Sequence, residues 1–274
     1  MSRAPTALRP LDLDRARALC AARGVPWPIE YHASIGSTQD RARELALAGA
    51  PETVVFAEQQ KKGRGQRGRS WYSPAGGGNW LTLVLRPDLD PARYPLLTLA
   101  AGVAIAEAVE EVTGATAAIK WPNDVLIEGR KCAGILAESD ATNGWAILGI
   151  GVDVCADLPH ELADHAISLH ELAGTQGGGE AGTAPEREVV LAAELAAVQR
   201  WLARLREEPK AVIAGVAARD ALRDRPVTID TPAGRTEGIA RGIDPRGALL
   251  VEMKDGTVIP CFAGITQLRK DSDG

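Results

Sequence analysis

No apolar run in these 274 residues approaches the roughly 18–20 consecutive residues needed to span a bilayer. Nor does the opening Met-Ser-Arg-Ala-Pro-Thr carry the apolar core of a signal peptide. Both absences point to a cytoplasmic protein with no membrane partner. Cysteine is scarce and scattered. Cys20, Cys132, Cys155 and Cys261 form no Cys-x-x-Cys pair, which argues against a disulfide framework or a zinc site and for reduced thiols. His32, His160, His165 and His170 add no ligand spacing, since the 5-residue steps among the last three leave any single helical face, so no protein-held metal is expected. Net positive charge is missing too: at −5, with a pI of about 5.5, the chain has no global attraction to nucleic acid. Any cationic cluster it does carry therefore has a local target. Finally, no Gly-x-Gly-x-x-Gly opens a helix after a strand with an acidic partner downstream, which disfavours dinucleotide binding.

What is present begins with a cationic stretch, Gln59-Gln-Lys-Lys-Gly-Arg-Gly-Gln-Arg-Gly-Arg-Ser-Trp71. It lies between two β-branched or apolar runs that read as buried strands, Thr53–Ala57 and Trp80–Leu85. Glycines at 63, 65 and 68 permit backbone N–H groups to converge on an anion, and Arg64, Arg67 and Arg69 add forked donors for phosphate or carboxylate. Its glycines and like charges predict a loop that is mobile without a ligand and ordered with one.

Along the chain, Leu11 to Arg23 reads as a helix stopped by Gly24, and Ile29 to His32 as a short strand. Ser37-Thr38 precede a helical run, Gln39 to Ala48, where a hydroxyl serves as an N-cap worth about 1 kcal/mol and also faces any polar ligand at the helix start. Tyr94 to Thr113 is the main core helix. Ala117 to Lys120, Val125 to Ile127, Lys131 to Glu138 and Trp145 to Val154 follow at hairpin spacing, a largely antiparallel meander. The segment 172–185 reads as a flexible connection. Helices are expected over Glu186 to Arg206 and about Ala211 to Leu222. Beyond Pro226, four short strands at hairpin spacing suggest a small barrel. The expected class is α+β: a mixed, largely antiparallel sheet with packed helices over 1–222, and a small β domain over 223–274.

Four motifs in order, Ser37-Thr-Gln39, the glycine–arginine loop, Lys120-Trp-Pro-Asn-Asp124 and Gly129-Arg-Lys-Cys-Ala-Gly-Ile-Leu-Ala-Glu138, resemble the biotin–protein ligase family. The resemblance runs from roughly Ile35 to Arg269 and implies a class II synthetase-like catalytic domain followed by an SH3-like one. The stretch ahead of Ser37 is about half what a winged helix-turn-helix needs, so the short form without DNA binding is expected. The implied chemistry is formation of a C–N bond: biotin and ATP, with Mg²⁺ on the nucleotide, give biotinyl-AMP, and biotin then passes to a lysine of a biotin carboxyl carrier domain, such as that of acetyl-CoA carboxylase. A homodimer is compatible with it.

Residue by residue, the resemblance assigns catalysis to Lys131, Arg64 and Asp124. It assigns biotin contacts to Ser37, Thr38, Gln39, Gln60, Arg64, Gly65, Gln66, Lys131 and Gly134, the last leaving room for the ligand. It assigns ATP contacts to Arg64, Lys120, Asn123, Asp124, Asp153 and Arg269. Three positions depart from the family pattern: Gln39 for Asn, Gln66 for Arg and Asp153 for Asn. An ionised Asp153 would lose a donor and set a negative charge beside a triphosphate. Two alternatives compete. One is a lipoate–protein ligase of the same fold. The other is a nucleic-acid-binding module using Lys61 to Arg69, with Trp71 and Tyr72 as stacking platforms.

Overall fold

A computed structural model describes residues 8–175, 184–231, 234–262 and 264–268. Its first layer is a seven-stranded sheet built from β1 (Ile29–His32), β2 (Thr53–Ala57), β3 (Gly78–Leu85), β4 (Ala117–Lys120), β5 (Asp124–Ile127), β6 (Arg130–Asp140) and β7 (Trp145–Asp153). The order is β1-β2-β3-β7-β6-β5-β4, and only the β1–β2 pair is parallel. The β4–β7 meander follows the hairpin-length turns expected for it.

Alternation along these strands sorts the side chains between two faces. Val54, Phe56, Leu81, Leu83 and Leu148 enter the main core, which helices α1 (Leu13–Ala22), α3 (Leu96–Thr113), α5 (Arg187–Glu207) and α6 (Pro209–Ala217) complete. Val55, Val84, Trp145 and Ile147 point the other way and pack on Ala42 and Ala46 of α2 (Thr38–Leu47). Among the described residues α2 is the one helix on that second face, and the remainder of the face forms the floor of a cavity.

The C-terminal strands β8 (Pro226–Thr231), β9 (Gly234–Ile243), β10 (Leu249–Glu252), β11 (Val258–Cys261) and β12 (Ile265–Leu268) form a second sheet in the order β11-β10-β9-β8-β12. The expected barrel is not closed among the described residues. Strand β9 pairs its first half with β8 and its second half with β10, and a register shift beside Leu249 bends the sheet. This curls the sheet and leaves β11 and β12 as its edges. Trp121 Nε1 donates to Gly247 O at 3.0 Å, seating this sheet against the first.

Two helix expectations change. The last helix ends at Ala217 instead of Leu222, because the edge strand β4 recruits the next residues: Ile119 N donates to Arg219 O and Ala221 N to Ile119 O. The 172–185 connection begins inside a helix, α4 (Leu169–Thr175), and its residues 176–183 lie outside the described residues.

One core feature makes stability depend on pH. Glu194 of α5 is wholly buried and accepts from Asn79 Nδ2 at 3.1 Å, and among the described residues its own Oε2 and Asn79 Oδ1 have no partner. Burial pushes its carboxyl up to about 8. Folding therefore takes up a proton between the ordinary glutamate range and about pH 8, so this contribution is full at low pH and is lost as pH rises through 8. Glu194→Gln, which carries amide hydrogens without ionising, should flatten the fall of thermal midpoint between pH 6 and 9, a difference on the order of a few kcal/mol. Identical slopes in the two proteins would show Glu194 to be ionised in the fold.

Candidate active site

The cavity, about 890 Å³, opens over the α2 face of the sheet. Its floor follows from register: Gly134 stands opposite Gly151, and Leu136 opposite Gly149, on β6 and β7. Three glycines on one face remove the side chains that would fill the space and leave a trough. Each is required by a close neighbour. A Cβ at Gly149 would lie 2.5 Å from Gln39 Oε1, and one at Gly151 would lie 2.7 Å from Trp71 Nε1.

Trp71 fills the part of the trough above Gly134 and Gly151. A Cβ at Gly134 would meet Trp71 Cζ3 at 2.8 Å and Lys131 Nζ at 3.1 Å, so the room expected there for a ligand holds the protein's own indole and lysine. The Lys131 ammonium stands 4.8 Å from the Trp71 ring centroid, a cation–π contact, and 2.5 Å from Asp124 Oδ1. The indole Nε1 is buried and has no hydrogen-bond partner among the described residues. Trp71 is thus part of the site and is not a free stacking platform.

Lys120 and Asp124 are opposite each other across the β4–β5 hairpin. Lys120 makes no ion pair among the described residues. Burial lowers its pKa, Asp124 opposes that shift, and the charges of Lys131 and Arg69 add to it. Three cations around one carboxylate make an electrostatic deficit suited to an anion. Asn123 serves the turn: its Nδ2 donates to Ile135 O, and its own carbonyl accepts from Ile135 N, both at 2.9 Å.

At the other end, Ser37 caps α2 by accepting from Gln39 N at 3.2 Å. Gln60 Oε1 accepts from Thr38 N at 2.9 Å and from Thr38 Oγ1 at 3.0 Å, and Gln60 Nε2 donates to Ser73 Oγ. Gln39 Nε2 donates to Glu138 Oε1 at 3.0 Å and to Leu136 O at 3.4 Å, so both amide hydrogens are used within the protein. The longer side chain reaches a carboxylate across the floor and keeps only acceptor capacity for a ligand.

The cationic loop is a tight hairpin in this structure. Gly65 N donates to Arg69 O at 2.7 Å, Trp71 N donates to Gly63 O at 2.9 Å, and Gln66–Gly68 form the turn with Arg67 at φ 54. A Cβ at Gly63 would be 2.5 Å from Trp71 O, which explains that glycine. Arg64 and Gln66 line the cavity, yet Arg64 pairs with Asp40 at 2.8 Å, and Arg67 reaches Asp230 O on the C-terminal sheet at 2.6 Å.

Asp153 closes the trough at the end of β7. It is 4% exposed, lines the cavity and makes no side-chain hydrogen bond among the described residues. Burial raises its pKa to about 8, against an opposing pull from Lys131. At neutral pH the carboxyl is therefore mostly protonated, and the expectation of an ionised Asp153 is corrected. Arg269 lies outside the described residues. Sequence reasoning missed Thr82, which bonds both Thr38 and Gln39, and the lining residues Gly264, just ahead of β12, and Thr266 and Gln267 within it. Among the described residues no cluster of three or more acidic, His or Cys side chains is placed to hold a metal, and no helix is long and apolar enough to cross a membrane.

The profile of the Biotin/lipoate A/B protein ligase family matches residues 31–154, and that of the Biotin protein ligase C terminal domain matches residues 224–265. A Mycobacterium tuberculosis Biotin--[acetyl-CoA-carboxylase] ligase is 32% identical over 95% of this chain and 97% of its own length. The Bifunctional ligase/repressor BirA of Bacillus subtilis is 46% identical over 53% of this chain, a match that spans only 46% of that protein. A solved Biotin protein ligase from Aquifex aeolicus in complex with biotin and ATP superposes with a TM-score of 0.74 at 27% identity, covering 89% of this chain and 99% of that one.

Proposed function

The chain belongs to the biotin–protein ligase family, and from that premise we propose that it joins biotin to a lysine of a biotin carboxyl carrier domain through biotinyl-AMP. The observation that carries this reading is the Lys131–Asp124 pair, set beside a glycine trough under a cationic hairpin. A match to the biotin-specific C-terminal domain, in addition to the domain shared with lipoate enzymes, favours biotin.

In the first step a biotin carboxylate oxygen attacks the α-phosphorus of ATP, and the bond to pyrophosphate breaks. Two anions must approach, and in this reading the Lys131 ammonium meets both. Asp124 and Trp71 hold that ammonium before substrate arrives, so little reorganisation is needed. Lys120 and Arg69 add charge on the phosphate side. In the second step a carrier lysine attacks the anhydride carbonyl and AMP leaves, and Asp124 is the carboxylate available to orient that amine and take its proton. Mg²⁺ belongs with the nucleotide phosphates, whose charge it offsets. The cavity's two carboxylates, Asp124 and Asp153, are respectively paired with Lys131 and mostly protonated, so neither makes a ready protein ligand for it. The biotin end is the Ser37–Thr38–Gln39 helix start with Gln60, and Asp153 and Arg269 are assigned to the nucleotide.

The test is biotin-dependent exchange of pyrophosphate into ATP, followed by transfer to a carrier domain. Exchange driven by lipoate or octanoate instead of biotin would reassign the substrate, and exchange with none of them would remove the reading. A further expectation concerns Gln66, which starts the turn of the cationic hairpin, the lid in this reading, at the cavity wall without the charge of an arginine. Gln66→Arg should slow escape of biotinyl-AMP by about two- to tenfold, the effect of one partly exposed charge pair. Equal or faster release, followed as free biotinyl-AMP, would exclude Gln66 from retention.

A further inference from the structure

The lid's one ion pair among the described residues is made with α2. Arg64 Nη2 lies 2.8 Å from Asp40 Oδ1, in the first turn of that helix, where free N–H groups favour negative charge. The same oxygen accepts from Arg43 Nη1 at 3.2 Å. Arg43 in turn pairs with Glu138 Oε2, and the other oxygen of Glu138 accepts from Gln39 Nε2 at 3.0 Å. An alternating chain of charges thus runs from the floor amide to the lid guanidinium. Arg64 lines the cavity, whereas Asp40 does not.

We propose that Asp40 is a positioning residue for the lid: its carboxylate holds the Arg64 guanidinium on α2 in the ligand-free protein and yields it to an anionic group entering the cavity. The nature of that group, a phosphate, rests on the adenylate-forming reading above. The pair suits such an exchange. Its side chains are 49% and 41% exposed, and ion pairs of that kind shift an equilibrium by about fivefold at most. A phosphate offers the same guanidinium more charge and more acceptor oxygens than one carboxylate does. When Arg64 leaves, Asp40 keeps Arg43, and Arg43 keeps Glu138, so the helix start and the floor amide remain in place.

The experiment is a double-mutant cycle read by ATP titration, with kcat for pyrophosphate exchange measured alongside. Asp40→Asn should tighten ATP binding about two- to fivefold with kcat unchanged, because Arg64 no longer has to leave a partner. In an Arg64→Ala background the same substitution should change nothing, and Asp40→Glu should restore the original affinity. Unchanged or weaker ATP binding in Asp40→Asn overturns the proposal, as does an equal gain in the Arg64→Ala background. Amide exchange of residues 63–71 in the ligand-free protein needs no substrate. Asp40→Asn should lower protection there, and unchanged protection overturns the latch even if biotin-dependent exchange fails and the adenylate reading falls separately.

Discussion

Lys131→Ala should abolish biotin-dependent pyrophosphate exchange while leaving the fold intact. Removing the ammonium takes away the charge that would stand between two reacting anions. It also strands Asp124, whose ion pair at 2.5 Å is with Lys131, so the local field changes sign at the place where two further negative groups must meet. Deleting one preorganised donor of this kind typically costs 10²–10³ in rate, about 2.7–4 kcal/mol, and an uncompensated carboxylate adds to that. Stability should change little. The Lys131 side chain is 28% exposed, while the strand around it is held by backbone bonds, Lys131 N to His165 O at 2.8 Å and Ile167 N to Lys131 O at 2.9 Å. Lys131→Arg keeps the charge but brings a planar fork beneath Trp71, and should recover only part of the rate. The measurement is exchange rate beside the thermal midpoint. Exchange within tenfold of the wild-type rate in a folded Lys131→Ala protein would take Lys131 out of the mechanism.

The strands β1 to β7 were legible from local signals: β-branched or apolar content throughout, and hairpin-length turns between β4, β5, β6 and β7. Ser37 was legible as a cap from its place just ahead of a helical run. What needed the fold was whatever depends on register. Gly134 could be singled out from its motif, but Gly149 and Gly151 acquire meaning only when β6 and β7 align them with it on one face. That Trp71 lies over Gly134 needed the fold as well, since nothing local ties the two together. Strand β12 was not expected, because its short run is a strand only through the edge that β8 provides. The cationic loop spoke for an anion by composition alone. The carboxylate that Arg64 meets, Asp40, comes from a helix that sequence offers no reason to place beside it.

Asp153 is the position where sequence and structure disagree most usefully, and it yields the last expected result. A carboxylate there could only accept hydrogen bonds, and it would repel a triphosphate. A neutral carboxyl carries one O–H donor and one C=O acceptor, the same complement an amide would present to an adenine edge. Burial favours the neutral form and places the pKa at about 8, so the group changes character just above physiological pH. The sign follows directly: below 8 the donor is present, and above 8 it is lost and a negative charge replaces it. ATP affinity should therefore fall as pH rises from 7 to 9, by about tenfold one unit above the pKa if only the neutral form binds. Two buried neighbours are shifted as well: Lys120 is lowered and Cys132 pushed far up, both by burial. Asp153→Asn isolates the carboxyl, since it leaves both in place. Its ATP affinity should match wild type at pH 6.5 and exceed it about tenfold near pH 9. Parallel titration curves for the two proteins would mean that Asp153 keeps one protonation state over this range or stays apart from the nucleotide.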